Sequence, residues 1–458
     1  MHKTYFIKTF GCQMNISDSE RIAGFLENND YQPAANIKEA GLVIFNTCGV
    51  RQMAEDRVYG QIHNLKKKAI AEKRPLHIVL TGCLANRADV QRRLKNKVDL
   101  FFPINKFGLF ENFVLENSLK IENLKLKISE QSNKHLTKEN IGYLSIHPQY
   151  TNTFQAFVPI MTGCNNFCAY CVVPYARGRE TSRPAQEIMA EVKDLVQKGY
   201  KSITLLGQNV NSYSDGKIDF PQLLKKINAL PGKFWIQFVS SHPKDMSAEL
   251  IETVAQSKKV CELVHLPIQS GSDEILTKMN RPYTVKHYLD LVRQIKAAFK
   301  KHKPEILFAL TSDIIVGFPG ETEEQFMLSA EIMQKAKYDL VFFGQYSPRP
   351  GTAAWKMKDD VSKAEKERRE QFLNEILKKT TFAHNKKYKN TTQEVLIDHV
   401  KSDESDHVAR KEERYVYFGK TRTGKNVKII SSQKNLVGQF AKVKITTVNI
   451  WNLEGTIK

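Results

Sequence analysis

The 458-residue chain has no run of about 18 apolar residues, the length a helix needs to cross a bilayer, so nothing in it reads as a membrane span. Its opening residues, Met1-His2-Lys3-Thr4-Tyr5-Phe6, lack the basic-then-apolar order of a secretory signal. Cysteine is scarce. The seven present are an odd count for a secreted disulfide framework. Acidic side chains are in deficit, 49 Asp and Glu against 69 Lys and Arg, for a formal charge of +20. These absences argue against a membrane or secreted protein and place the chain in a reducing cytoplasm. The charge favours a polyanionic partner over a merely basic solvated surface.

The cysteines that are present fall into a pattern. Cys164, Cys168 and Cys171, in Met161-Thr162-Gly163-Cys164-Asn165-Asn166-Phe167-Cys168-Ala169-Tyr170-Cys171, stand four and three residues apart. Three thiolates at this spacing can hold three irons of a cubane cluster and leave the fourth open. A cluster used only for electron transfer normally fills all four corners. Zinc or three buried thiols are the alternatives, but no paired fourth Cys or His follows, as a zinc ribbon would require. Three further cysteines each stand just past an apolar run, at Phe10-Gly11-Cys12, Asn46-Thr47-Cys48 and Thr81-Gly82-Cys83. In a parallel sheet all three lie at the carboxyl ends of strands, where open α/β folds bind ligands. Isolated core cysteines would sit inside the runs instead. The placement therefore reads as one shared metal site.

The chain divides into four stretches. Residues 1–116 alternate strands (Thr4–Thr9, Leu42–Asn46, His77–Thr81) with helices (Ser17–Asn28, Met53–Ala71, Asp89–Lys95), which predicts a parallel α/β sheet. Residues 117–152 are polar and lysine-rich, a linker with one short strand pair. Residues 153–382 carry six strand candidates, at Ala156–Met161, Ser202–Leu206, Trp235–Val239, Val260–Leu266, Leu307–Val316 and Leu340–Tyr346. Helical patterns such as Ala185–Lys198, Val285–His302 and Glu323–Ala336 separate several of them. Six such units predict a partial (β/α)6 barrel with functional residues at the strand ends. A charged helical connector over 361–390 leads into residues 383–458, a small antiparallel β-barrel with strands at Glu394–His399, Arg414–Phe418, Asn426–Ile430 and Phe440–Thr447. Residues 411–458 hold ten Lys or Arg against three Asp or Glu. Tyr415, Tyr417 and Phe418 lie among them, as barrel core or as base-stacking surfaces.

Taken in order, the motifs resemble the radical S-adenosylmethionine methylthiotransferases, and within them the MiaB-type tRNA enzymes. The resemblance runs nearly end to end. It rests on Gly11-Cys12-Gln13-Met14-Asn15 with Asp18-Ser19-Glu20, on Asn46-Thr47-Cys48 with Val50-Arg51, and on Thr81-Gly82-Cys83. It continues through Cys164–Cys171 with Val173-Pro174-Tyr175 and Arg177-Gly178-Arg179-Glu180, then Leu206-Gly207-Gln208-Asn209-Val210-Asn211 and Ser241-His242-Pro243. His265-Leu266-Pro267-Ile268-Gln269-Ser270-Gly271, Gly317-Phe318-Pro319-Gly320-Glu321 and Tyr346-Ser347-Pro348-Arg349-Pro350-Gly351-Thr352 complete it.

The resemblance implies a radical 4Fe-4S cluster on Cys164, Cys168 and Cys171 that binds S-adenosylmethionine, an auxiliary 4Fe-4S cluster on Cys12, Cys48 and Cys83, and a C-terminal TRAM-type RNA-binding module. The Gly-Arg-Thr frequent in such modules stands here as Ala409-Arg410-Lys411. It also implies methylthiolation at C2 of N6-isopentenyladenosine beside the tRNA anticodon. Relatives acting on a ribosomal-protein side chain carry Pro-Lys where this chain has Gln13-Met14. Those acting on threonylcarbamoyl adenosine differ around that loop and around Leu206–Asn211. A two-cluster electron carrier with an RNA-binding module is the reading from another class. An electron donor such as flavodoxin or ferredoxin and a sulfur or cluster carrier are the expected partners. Gln208, Gln269, Ser270, Arg281 and Asp313 stand at predicted strand ends as cofactor-positioning candidates, with local turns or caps as the alternative. Arg177, Arg179 and Arg183 are candidates to face RNA, and His242, His265 and Cys261 read as core.

Overall fold

Apolar runs that alternate with helices over the first hundred residues pair in parallel, because each helix carries the chain back to the same end of the sheet. The computed structural model describes residues 3–49, 52–122, 142–401 and 415–457. Its first unit comprises β1 (Thr4–Phe10), α1 (Gln13–Glu27), β2 (Gln32–Pro33), β3 (Leu42–Thr47), α2 (Gln52–Ala71), β4 (His77–Gly82), α3 (Ala88–Leu94), β5 (Leu100–Phe101) and α4 (Gly108–Glu122). The parallel sheet has the order β2-β1-β3-β4-β5. Central β3 is buried along its whole length. Val43 and Phe45 pack with Val58 and Ile62 of α2, while Leu42 and Ile44 pack with Ile22 of α1 and Phe110 of α4. Alternation by two thus feeds two cores, one on each face.

The second unit runs through β6 (Gln155–Pro159), β7 (Met161–Thr162), α5 (Val173–Arg177), β8 (Thr181–Ser182), α6 (Ala185–Gln197), β9 (Ser202–Leu206), α7 (Phe220–Ala229) and β10 (Trp235–Phe238). It continues with α8 (Ala248–Gln256), β11 (Leu263–His265), α9 (Asp273–Lys278), α10 (Val285–His302), β12 (Ala309–Val316), α11 (Glu323–Ala336) and β13 (Leu340–Gln345). β6, β9 and β10 form one parallel sheet, β11, β12 and β13 another, and the bridge Ile236↔Val260 joins them. The six barrel strands therefore follow chain order, with β6 and β13 as edges.

After α12 (Lys363–Lys386), the strands β14 (Thr392–Lys401), β15 (Tyr415–Thr421), β16 (Asn426–Ser431), β17 (Phe440–Val448) and β18 (Leu453–Ile457) close a barrel in the order β14-β15-β16-β18-β17. Val395, Ile397, Tyr417, Val427, Ile429, Val443, Ile445 and Leu453 fill it. Arg422 docks this barrel on the larger one, reaching Glu262 at 2.6 and 3.0 Å and the carbonyls of Lys258 and Val260.

Several expectations change. The strand expected at Ala156–Met161 divides into β6 and β7, because beyond Ile160 the chain leaves β9 and pairs antiparallel with β8. The strand expected over Val260–Leu266 narrows to Leu263–His265. α4 extends through Glu122 into the stretch read as linker. The centre of that stretch, 123–141, where a strand pair was expected, lies outside the described residues, as do Val50-Arg51 and Ala409-Arg410-Lys411. Among the described residues no helix is long and apolar enough to cross a membrane.

Candidate active site

β1, β3 and β4 end in register: Thr9, Asn46 and Thr81 are paired neighbours, as are Phe10, Thr47 and Gly82. Cys12, Cys48 and Cys83 therefore leave the sheet side by side. The Cys48 N–H donates to Phe10 O at 2.7 Å, and the Cys83 N–H to Thr47 O at 2.8 Å. Gly82, at φ +85°, makes the last step before Cys83. Asn15 and Asn46 tie the rim together. Asn15 Nδ2 donates to Asn46 Oδ1 and Asn46 Nδ2 to Asn15 O, both at 2.8 Å, while Asn15 Oδ1 accepts from the Cys12 N–H. Each asparagine stands in a motif, but its partner lies 31 residues away, beyond any local pattern.

The second triad sits on the loop after β7. Gly163, at φ +77°, opens it, and a Cβ there would lie 2.7 Å from Gly178 O. The Cys171 N–H donates to Cys168 O at 2.9 Å, the Cys164 N–H to Gly178 O at 3.1 Å, and Asn280 Nδ2 donates to Phe167 O at 2.9 Å. The loop is thus held from both sides before any ligand enters.

Both triads face one cavity of about 320 Å³. Its wall includes all six cysteines, and Gln208, Gln269, Arg281 and Asp313 stand around them. Burial pushes the Cys171 thiol up to about 12, with repulsion from Cys168, Cys164 and Cys83 adding to it. Burial likewise raises Cys164. Such thiols become thiolates when a cation is present to balance them. Among the described residues no three His, Cys, Asp or Glu side chains converge on a single-ion site. All-sulfur donors spread around a wall suit two clusters of several irons each rather than one zinc.

The polar side of the cavity fits a polar organic ligand. Gln208 Oε1, Ser241 Oγ and His242 Nε2 are buried with no hydrogen-bond partner, a cost that a bound ligand would remove. Burial, with Arg281 and Lys244 nearby, pushes the His242 imidazole down to about 2, so it is neutral. Its Nδ1 accepts the Lys244 N–H at 3.2 Å, which leaves Nε2 as the protonated nitrogen. Ser240 and Gln269, both on the wall, hold positive φ without being glycine. Strain of that kind concentrates at functional sites.

The cofactor candidates separate in space. Gln208, Gln269, Arg281 and Asp313 line the cavity, and Arg281 Nη1 lies 3.4 Å from Cys168 Sγ. Ser270 does not line it. It is fully buried, and its hydroxyl accepts the Ser272 N–H at 3.2 Å. His242 and His265, read as core, instead stand on the wall, and His265 is 3.5 Å from Asp313. Arg177 and Arg183 turn inward to carboxylates rather than outward to RNA, while Arg179 covers the Phe167 ring. Cys261 packs between Trp235 and Leu396, as core. Tyr417 belongs to the small barrel's core, and Phe418 stacks on His399 with centroids 4.8 Å apart.

Three stretches match described families: residues 4–103 the Uncharacterized protein family UPF0004, residues 158–333 the Radical SAM superfamily, and residues 386–458 the TRAM domain. The chain is 40% identical to the tRNA-2-methylthio-N(6)-dimethylallyladenosine synthase of Thermoanaerobacter pseudethanolicus, over 99% of this chain and 92% of that relative. It is 41% identical to the synthase of that name from Clostridium botulinum, over 98% and 96%. For Carboxydothermus hydrogenoformans the figures are 40%, over 99% of each. Among solved structures it is similar to the radical S-adenosylmethionine methyltransferase TsrM from Kitasatospora setae, with a TM-score of 0.53 at 13% identity over 77% of each chain. The cobalamin-dependent S-adenosylmethionine radical enzyme OxsB gives 0.52 at 9%, over 81% of this chain and 55% of that one. At these identities the solved structures share the fold alone.

Proposed function

The chain belongs to the tRNA-2-methylthio-N(6)-dimethylallyladenosine synthase family, and from that premise we propose that it methylthiolates C2 of N6-isopentenyladenosine beside the tRNA anticodon. The observation that carries this reading is the convergence of two cysteine triads on one cavity. The C2–H bond is neither acidic nor hydridic, so acid–base side chains alone cannot open it. The two 4Fe-4S clusters and S-adenosylmethionine, when bound, supply the radical chemistry, the sulfur and the methyl group.

Each part of the chain has its task in this reading. We assign Cys164, Cys168 and Cys171 to the radical cluster and Cys12, Cys48 and Cys83 to the auxiliary one; lining one cavity, the two triads would hold both clusters against a common space. Gln208, Gln269, Arg281, Asp313 and the neutral His242 orient the cofactor. Arg281, held by Tyr283 Oη at 2.8 Å and Pro267 O at 3.0 Å, keeps a fixed positive charge beside Cys168. Residues 1–116 serve the auxiliary cluster, 117–152 connect, 153–382 hold the cofactor, and 383–458 grip the RNA with surplus Lys and Arg. An electron donor such as flavodoxin or ferredoxin and a sulfur or cluster carrier complete the cycle. A tRNA substrate and thiols that must stay reduced support a cytoplasmic setting.

The test is product analysis on isopentenylated tRNA with anaerobically reconstituted protein. Cys164→Ala abolishes S-adenosylmethionine cleavage. Cys48→Ala abolishes the methylthio nucleoside and spares cleavage. Continued 5′-deoxyadenosine release by Cys164→Ala, or normal product from Cys48→Ala, would refute the assignment. So would methylthiolation of a protein side chain with no change in tRNA nucleosides.

A further inference from the structure

The two triads belong to different units, and the element that joins them is α1, which begins one residue after Cys12. Four of its side chains, those of Ser17, Asp18, Glu20 and Arg21, reach the larger barrel or the segment leading into it. Ser17 Oγ donates to Phe157 O at 3.2 Å. Glu20 Oε1 accepts from the Thr151 N–H at 3.0 Å and from its hydroxyl at 2.9 Å. Arg21 Nη2 reaches both oxygens of Glu191 at 3.0 and 3.1 Å, and Glu191 also takes Arg183 and Tyr150.

Innermost is Asp18, whose Oδ2 accepts from Arg177 Nη2 at 2.6 Å. Arg177 ends α5, a helix that begins two residues after Cys171. One ion pair therefore links the helix after Cys12 to the helix after Cys171. Both side chains are buried, at 1% and 4% exposure, and Arg177 lines the cavity. Burial alone would weaken the Arg177 charge, but Asp18, and then Cys83 on the same cavity wall, hold the guanidinium firmly protonated. A buried ion pair is a poor source of stability, because desolvation offsets the attraction and apolar residues of equal volume serve as well. What a charged pair supplies is one allowed geometry.

Resting on the reading above, we propose that Asp18 and Arg177 are positioning residues that fix the separation of the two cysteine triads and hold a positive charge on the cavity wall that Cys83 also lines, so that sulfur delivery stays coupled to cofactor cleavage. The pair touches neither substrate nor reacting atoms in this assignment. It acts through the helices it joins.

The experiment uses full-length, anaerobically reconstituted protein with Asp18→Asn, Arg177→Lys and Arg177→Gln. In Asp18→Asn both clusters load and 5′-deoxyadenosine still forms, while its ratio to methylthio nucleoside rises by up to roughly a hundredfold, as expected when reacting groups shift by about 1 Å. Arg177→Lys keeps the charge but loses the fork. It should retain the reduction potential of the auxiliary cluster, read by electron paramagnetic resonance during redox titration, yet show the raised ratio. Arg177→Gln should show both the raised ratio and a more negative potential, since a nearby cation favours the reduced cluster. Parallel loss of cleavage and product at an unchanged ratio, in step with lowered melting midpoints, would overturn the proposal and leave a purely structural pair. An unmoved potential in Arg177→Gln would also overturn the part about charge. Should Asp18→Asn fail to fold, Arg177→Lys decides the outcome. Absence of methylthio nucleoside from the unsubstituted protein would instead refute the function itself, and the potentials would still report on the pair.

Discussion

Replacing Gly82 with alanine perturbs the auxiliary site through one methyl group. Gly82 holds φ +85°, and a Cβ on it would lie 2.7 Å from Asn46 Oδ1 and 2.8 Å from the Thr47 nitrogen. Keeping a non-glycine residue in such a conformation costs about 1–3 kcal/mol. Forcing a methyl into filled space adds about 1–3 kcal/mol. The sum, roughly 2–6 kcal/mol, falls at or below the 5–15 kcal/mol by which folded proteins are typically stable. The sheet should survive and the strain be relieved locally. Both neighbours of the new methyl belong to β3, so the easiest relief separates the ends of β3 and β4. The thiols of Cys48 and Cys83 part with them. Anaerobic reconstitution with iron and sulfide analysis should then find about four irons per chain where the parent takes about eight. Cofactor cleavage should persist while methylthio nucleoside falls to background. A Gly82→Ala protein that loads its full iron and methylthiolates at the parent rate would refute the claim that rim geometry builds the auxiliary site.

Other perturbations report on other parts of the molecule. The His242 imidazole, pressed down to about 2, has a folded value below its unfolded one near 6.5, so the unfolded chain takes up its proton first. The stability it allows is whole above about pH 6.5 and declines by about 1.4 kcal/mol per pH unit below that. Denaturant unfolding at pH 7.5, 6 and 5 should show a shallower decline in His242→Gln, and identical slopes would count against a neutral, buried ring. Arg422→Ala leaves Glu262 with Lys303 as its remaining ion-pair partner. This should cost somewhat less than the about 3–5 kcal/mol of a fully orphaned buried charge. Limited proteolysis should release the C-terminal barrel earlier, whereas unchanged digestion would show that other contacts dock it. Removing the ring that stacks on His399, in Phe418→Ala, should weaken tRNA binding by about 1–3 kcal/mol without altering RNA-independent cofactor cleavage. Unchanged tRNA affinity would place the RNA face elsewhere.

The sequence alone determined much of this protein, because much of it is local. Apolar runs followed at once by cysteine located the strand ends, and the spacing of Cys164, Cys168 and Cys171 marked the second triad within eight residues of chain. α10, with a strong 3.6-residue pattern, and α11 appear with the bounds expected from the sequence. β18 is not marked by the sequence pattern, because Leu453-Glu454-Gly455-Thr456-Ile457 carries a glycine that reads as a break. In the barrel that glycine lets the Lys444 carbonyl approach closely. Only the tertiary structure decided where long polar side chains end. Arg177 reads as a loop cation until Asp18, 159 residues away, is brought against it. Ser270 and Gln269 are adjacent in sequence, yet one caps a turn and the other faces the cavity. His242 becomes a neutral wall residue through its burial beside Arg281 and Lys244, a surrounding that no local pattern encodes. Strand ends follow from short-range periodicity, whereas charge pairing and burial depend on distant chain meeting in space, and that meeting belongs to the fold.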